Sequence, residues 1–194
     1  MSNTSATGGY LTPSAVPLDD DALLDFMQTV LIGVTGITPK MVRPAYQPNP
    51  PKRPGIDVDW CAFWIGDQKV EEGNAYVIET DNGLSSKSQR HEEFQLRCSF
   101  YGPHAGHNAS SLRDNLQIAQ NREQLFLAGM AHIDCSSITP LGDLVDQQWY
   151  KRADITANFR RELNRDYSVL SFLTANGTIV TETITIPWAV SPEV

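Results

Sequence analysis

The segment RHEEFQLRCSFY, residues 90–101, alternates strictly between apolar and polar side chains. Phe94, Leu96, Cys98 and Phe100 fall on one side of it, and Glu93, Gln95, Arg97 and Ser99 on the other. Successive side chains of a strand point to opposite faces, so this pattern predicts a strand with one buried face and one polar face. Gly102 and Pro103 end it, because proline has no N–H for a ladder. Strands covered on one face only are typical of antiparallel sheets. Upstream, WCAFWI (60–65) is a continuous apolar run, which suits a strand covered on both faces. A second strand is expected at 75–80, followed by the turn chemistry of Asp81, Asn82 and Gly83. Downstream, residues 105–129 read as helical. Ala109, Leu112, Leu116 and Ala119 share a face, Asn121 with Gln124 resembles a capping box opening a second piece, and Gly129 is the expected C-cap. Strands follow at about 131–138 and 149–163, the latter with Ile155, Ala157 and Phe159 on one side.

Both ends of the chain extend this picture. Residues 1–18 are polar, with Gly8, Gly9, Pro13 and Pro17 and no clean period, and read as an extended arm that orders against a neighbour. Asp19, Asp20 and Asp21 favour a helix start through capping and the macrodipole. Leu23, Phe26, Met27, Val30, Leu31 and Val34 then follow helical spacing, and Gly36 and Pro39 are stop signals. A short strand is expected at 41–46. Pro44, Pro48, Pro50, Pro51 and Pro54 then crowd a loop, either a plain surface connection or an arm against a partner subunit. At the other end, β-rich runs at 168–173 and 179–186 flank Asn176-Gly177, the dipeptide that favours tight hairpin turns. Strands come in adjacent runs, which predicts an α+β fold: a mainly antiparallel β-sheet with helices packed on one face. To this are added the N-terminal arm 1–18 and a long C-terminal β-hairpin, 168–186. Residues 19–194 are expected to form a single α+β domain with the proline-rich loop 44–54.

Composition narrows the function classes. The chain has 194 residues, 41% hydrophobic and 20% charged, close to ordinary globular values. Its net charge of −8 argues against tight duplex binding, which favours a basic patch. An acidic wall would instead let DNA slide past. No apolar run approaches the roughly 20 residues of a membrane span, so no membrane partner is expected. The polar start lacks a signal-peptide pattern, so assembly in a cytoplasm is expected. Cys61, Cys98 and Cys135 are an odd set without CxxC spacing and read as reduced structural thiols.

Chemistry finds little support. His91, His104 and His107, near Cys98, are the only cluster that invites a metal, as in a metal-dependent hydrolase or small-ligand domain. Their loop placement, and a Cys98 facing the core, speak against it. No Gly-x-Ser-x-Gly elbow, P-loop or dinucleotide fingerprint occurs. Glu92 and Glu93 are neighbours on a strand and cannot address one substrate. No catalytic residue, metal or cofactor is therefore expected. Lys151, Arg152, Arg160, Arg161 and Arg165 gather within 15 residues. They read either as a solvated sheet face or as anchors for acidic surface on a neighbouring subunit.

Four segments together resemble the neck terminator family of tailed bacteriophages. They are Gly9-Tyr10-Leu11-Thr12-Pro13, the helix start at 18–24, Val42-Arg43-Pro44 with Trp60-Cys61-Ala62-Phe63, and residues 90–103. The resemblance implies a structural virion protein of the tail and neck that forms a ring, usually of six. Such a ring caps the tail tube, ends its polymerisation and meets the head connector, with the sheath as a further neighbour where the tail contracts and DNA merely passing through. It also implies that function lies in contact surfaces. The subunit-interface candidates are Tyr10 and Pro13 on the arm, Pro50 and Pro51 on the loop, Arg152, Arg160, Arg161 and Arg165 on the basic strand, and Asn176 and Gly177 on the hairpin. Another tail component, such as a tube, completion or baseplate protein, is the alternative within the same setting.

Overall fold

The alternating segment lies in the 17-residue strand β4 (Ser85–Tyr101) of a computed structural model that describes residues 9–71, 75–80, 85–169, 175–180 and 185–190. Phe94, Leu96, Cys98 and Phe100 are all buried, as their shared parity predicts. On one side β4 pairs antiparallel with β2 (Trp60–Val70), from Trp60 opposite Tyr101 to Ile65 opposite Leu96. Beyond β2, the short β1 (Val42–Pro44) pairs parallel, which makes the sheet mixed. On the other side of β4 runs β7 (Gln148–Ser168). Glu92 meets Arg161, Phe94 stacks on Phe159 at 5.4 Å and Ser99 meets Arg152. Numbers that fall on one strand rise on the other, so this pair is antiparallel. The outer side of β7 takes β6 (Thr139–Val145) near its start and β5 (Met130–Cys135) further along. With β3 (Tyr76–Thr80), paired to the start of β4, the described residues form a seven-stranded sheet and an α+β fold.

The chain divides into two units. Residues 18–73 and 90–163 hold the core, whose inner sheet face is Cys61 and Phe63 of β2, the four apolar residues of β4, and Ala153, Ile155, Ala157 and Phe159 of β7. Helices α1 (Asp20–Thr35), α2 (Ala105–Asn115) and α3 (Glu123–Leu127) add Leu23, Met27, Leu31, Ala109, Leu112 and Leu125 to the same core. Each buried leucine, methionine or phenylalanine among them contributes about 1.5–3 kcal/mol of hydrophobic stabilisation. Helix α1 buries five of the six residues its spacing singles out, with Phe26 half-buried. It ends at Gly36, whose φ of 71° lets its N–H reach the carbonyl of Ile32.

The second unit comprises residues 1–17, 74–89 and 164–194. It holds β3 with the first residues of β4, and the pair β8 (Ala175–Val180) and β9 (Thr185–Val190). Its N-terminal stretch is tied by Ser14, whose N–H donates to the carbonyl of Asp166 at 2.8 Å.

Several expectations are corrected. The run 60–65 is covered on one face only: Cys61 and Phe63 are buried, while Trp60, Ala62 and Trp64 are half-exposed on the other face. Apolar residues on that second face are used by aromatic stacking, not by a second layer. Ala119 is exposed, and Asn121 and Gln124 make no capping box. Asn121 Nδ2 donates to the Asn115 carbonyl instead, and α3 has Arg122 at its N-cap without a side-chain cap. The strand expected at 131–138 is β5, which ends at Cys135, and a further strand that the pattern did not mark, β6, follows at Thr139–Val145. Asp146 and Gln147, with φ of 48° and 65°, turn β6 into β7 as a two-residue hairpin. That turn was hidden because it carries no glycine. Asn176 and Gly177 lie within β8, opposite Ala189 and Trp188, and do not form a turn. The expected turn at 81–83, and residues 170–173 of the expected hairpin arm, lie outside the described residues.

Candidate interaction surfaces

The basic strand separates by parity. Arg161 shares the inner face of β7 with Phe159 and is 3% exposed. Its Nε donates to Glu92 Oε1 at 2.6 Å, its Nη2 to Asp19 Oδ1 at 2.9 Å, and its Nη1 to the Leu18 carbonyl. The guanidinium also lies 5.7 Å from the centre of the Phe94 ring. Arg161 thereby fixes the start of α1 to β7 and to β4. This explains why Asp19 makes no side-chain cap on its helix: Arg161 holds its carboxylate. Glu92 is buried and Glu93 exposed, the opposite orientation expected of strand neighbours.

Arg152 and Arg160 have the other parity and lie on the outer face. Arg152 grips Asp154 with Nε and Nη2, both at 2.7 Å, and reaches Ser99 Oγ at 3.3 Å and Asp143 at 3.4 Å. This bidentate bond to Asp154 holds its proton even more firmly than usual. Arg160 pairs with Glu71, and that hydrogen bond lowers the Glu71 pKa below the ordinary value. Beside Arg152, Arg53 from the proline-rich loop lies 4.2 Å from the Tyr150 ring centre and 5.0 Å from that of Tyr101, which stacks on Trp60 at 4.3 Å. These cation–π contacts pin one end of the loop to the sheet. Pro50 and Pro51 are exposed, Pro13 and Arg165 half-buried, and Tyr10 almost fully exposed.

The histidines do not converge. His104 opens α2 and is already paired: its Nδ1 lies 2.8 Å from Asp59 Oδ2, and its backbone N–H donates to Oδ1 at 2.9 Å. Gly102 permits this close passage, since a Cβ there would sit 2.5 Å from Asp59 Oδ1. Cys98 points into the core, where burial pushes its thiol well above the usual range. Among the described residues no group of three or more His, Cys, Asp or Glu could hold a metal ion. A contact outside the sequence reading joins His132 Nε2 to Cys135 Sγ at 3.3 Å. Three residues apart, they would face opposite ways on a regular strand, but a bulge between His132 and Asp134 realigns them. Burial lowers the His132 pKa and pushes the Cys135 thiol up to about 11, so the pair is no activated nucleophile.

Two apolar surfaces stand out in the core unit. On the β6–β7 hairpin, Leu144 and Trp149 face each other across the strands at 58% and 66% exposure. Near Arg161, further along β7, a cavity of ≈ 520 Å³ lies between α3 and β5, lined by Ala119, Arg122, Glu123, Phe126, Met130 and Ala131 among others. Phe126 is 80% exposed there.

No described helix is long and apolar enough to cross a membrane. A family model described as phage neck terminator protein matches residues 21–183 of the chain. No curated protein matches it.

Proposed function

The chain belongs to the phage neck terminator family, a structural family of the virion, and from that membership we propose that six copies form a ring that caps the tail tube. The ring ends tube polymerisation and offers its opposite surface to the head connector, and to the sheath if the tail contracts. The carrying observation is the family match across residues 21–183, which spans every element of the core. The protein works by contact and without a catalytic step. In support, His104 is occupied by Asp59, and the Cys135 thiol is held protonated. Assembly takes place in the host cytoplasm, and DNA passes through the ring without being gripped. The charge of −8 per subunit supports this, since an acidic lumen repels phosphate.

The contact elements in this reading are the arm, with Tyr10 and Pro13; the proline-rich loop, with Pro50 and Pro51; and the C-terminal strands around Asn176 and Gly177. Arg160 and Arg165 are further candidates on the basic strand. Arg152 and Arg161 serve the ring indirectly, by shaping the surfaces that meet a neighbour.

Light scattering after size exclusion, with negative-stain microscopy, tests the proposal. A six-membered ring with a central channel is expected, together with tails of normal length only when the protein is supplied. A monomer that neither assembles nor binds tail tubes, or stoichiometric zinc with hydrolytic activity, would overturn it. Deleting residues 1–17 spares Leu18, whose carbonyl Arg161 holds. The truncated subunit should fold normally and assemble poorly.

A further inference from the structure

A ring needs a heterologous contact, in which one patch of each copy meets a different patch of the next. The core unit carries two unlike apolar patches that fit this requirement. Trp149 and Leu144 form a protruding pair on the β6–β7 hairpin, beside the Asp146-Gln147 turn. Trp is the residue type most enriched among binding hot spots, and it is seldom left this exposed without a partner. Its ring lies over Gly142, where a Cβ would come within 3.1 Å of Trp149 Cε3, so the indole is held in place before any partner arrives. Such preorganisation lowers the entropic cost of association.

The second patch is concave. The cavity between α3 and β5 is large enough for an indole and a leucine side chain, within the roughly 300–1,000 Å³ of ordinary binding pockets. Phe126, 80% exposed, rims it with apolar surface. β5 is also the last strand in the sheet order, which leaves one of its edges without a neighbouring strand among the described residues. Along β7 the two patches are separated by the twelve steps from Trp149 to Arg161, the partner of Met130 in β5. At 3.3 Å per residue that is about 40 Å, too far for one copy to satisfy itself.

Resting on the ring reading above, we propose that the Trp149–Leu144 hairpin tip of one copy seats in the Phe126-rimmed cavity between α3 and β5 of the next copy. Asp146 at the tip can pair with Arg122, which lines the cavity together with Glu123, and Arg122 can also lie against the indole face. A cavity of ≈ 540 Å³ beside Tyr46 and Trp64 has Asp20 and no basic residue in its lining, so it offers Asp146 no partner.

Two variants and their mixture test this. Trp149→Ala with Leu144→Ser removes the knob, and Ala131→Trp fills the cavity. All three positions are exposed, so thermal unfolding of each variant should match wild type. Sedimentation velocity across a concentration series should show each variant as a monomer where wild type is a ring, with self-association at least about 30-fold weaker, as loss of a hot-spot residue implies. Mixed together, one variant still has a knob and the other a cavity, so they should form a one-to-one heterodimer and stop there. A ring from either variant alone, a wild type that stops at a symmetric dimer, or a mixture with no heterodimer overturns the inference. If wild type forms rings and both variants do too, only this contact is wrong. If wild type never assembles, the ring reading itself falls.

Discussion

Replacing Glu92 by Ala removes the buried carboxylate that faces Arg161 and leaves the guanidinium, only 3% exposed, with fewer partners than its burial demands. Breaking a buried pair by deleting one member costs about 3–5 kcal/mol, because an uncompensated charge stays in a poorly solvated site. Arg161 keeps Asp19 and the Leu18 carbonyl, so the lower end, about 3 kcal/mol, is expected. For a chain of 194 residues each kcal/mol shifts Tm by about 2–4 °C, giving a fall of about 6–12 °C. Urea unfolding followed by circular dichroism measures the loss, and an unchanged m-value shows that the unfolded state is not altered. Glu93→Ala, on the exposed side of the same strand, is the control and should stay within about 0.5 kcal/mol of wild type. Replacing both partners, Glu92→Leu with Arg161→Met, should recover much of the loss, since no charge is left buried. A Glu92→Ala variant within about 1 kcal/mol of wild type, or indistinguishable from Glu93→Ala, would refute the assignment of this pair as the tie between β4, β7 and the start of α1.

Three further outcomes follow from local geometry. Gly102→Ala should destabilise by about 2–3 kcal/mol, because φ is 109° and the new Cβ would meet Asp59 Oδ1 and the Val58 carbonyl; a Tm equal to wild type would contradict it. Gln147→Gly should stabilise by about 0.5–1 kcal/mol by relieving a left-handed conformation, offset in part by glycine's greater freedom when unfolded; thermal unfolding that shows a loss would exclude a two-residue turn with both positions at positive φ. Burial lowers the His132 pKa in the folded chain, so the unfolded chain takes up the proton first as pH falls. The contribution of His132 to stability should therefore be full above its unfolded value of about 6.5 and decline as pH drops through it, and His132→Phe should flatten that part of the stability–pH curve.

How far the sequence led depended on whether a signal was local. Helix α1 and the inner face of β4 were legible because their periodicities, 3.6 and 2, depend only on the side chains themselves. The same parity rule, applied to β7, separates Arg160 from Arg161 and places Arg161 beside Phe159. Read together with Glu92 on the buried parity of β4, it could have identified the interior ion pair. The β6–β7 turn was not legible, because Asp146 and Gln147 adopt positive φ without glycine. Asn176-Gly177 misled for the opposite reason: a dipeptide that favours a turn can still be held in a ladder, as it is opposite Ala189 and Trp188.

What the amino-acid sequence by itself determined is therefore the α+β class, the inner face of the sheet and its long first helix, together with the segments that carry the family likeness. These rest on patterning and propensity, which act within a few residues. Only the tertiary structure decided which charges are interior and which are exposed, since Arg161 is buried by a carboxylate 69 residues away and an aspartate 142 away. It also decided that Trp149 lies exposed beside Leu144 while the cavity of Phe126 opens at the far end of β7. Such placements depend on strand register and chain crossing, and no local pattern encodes them.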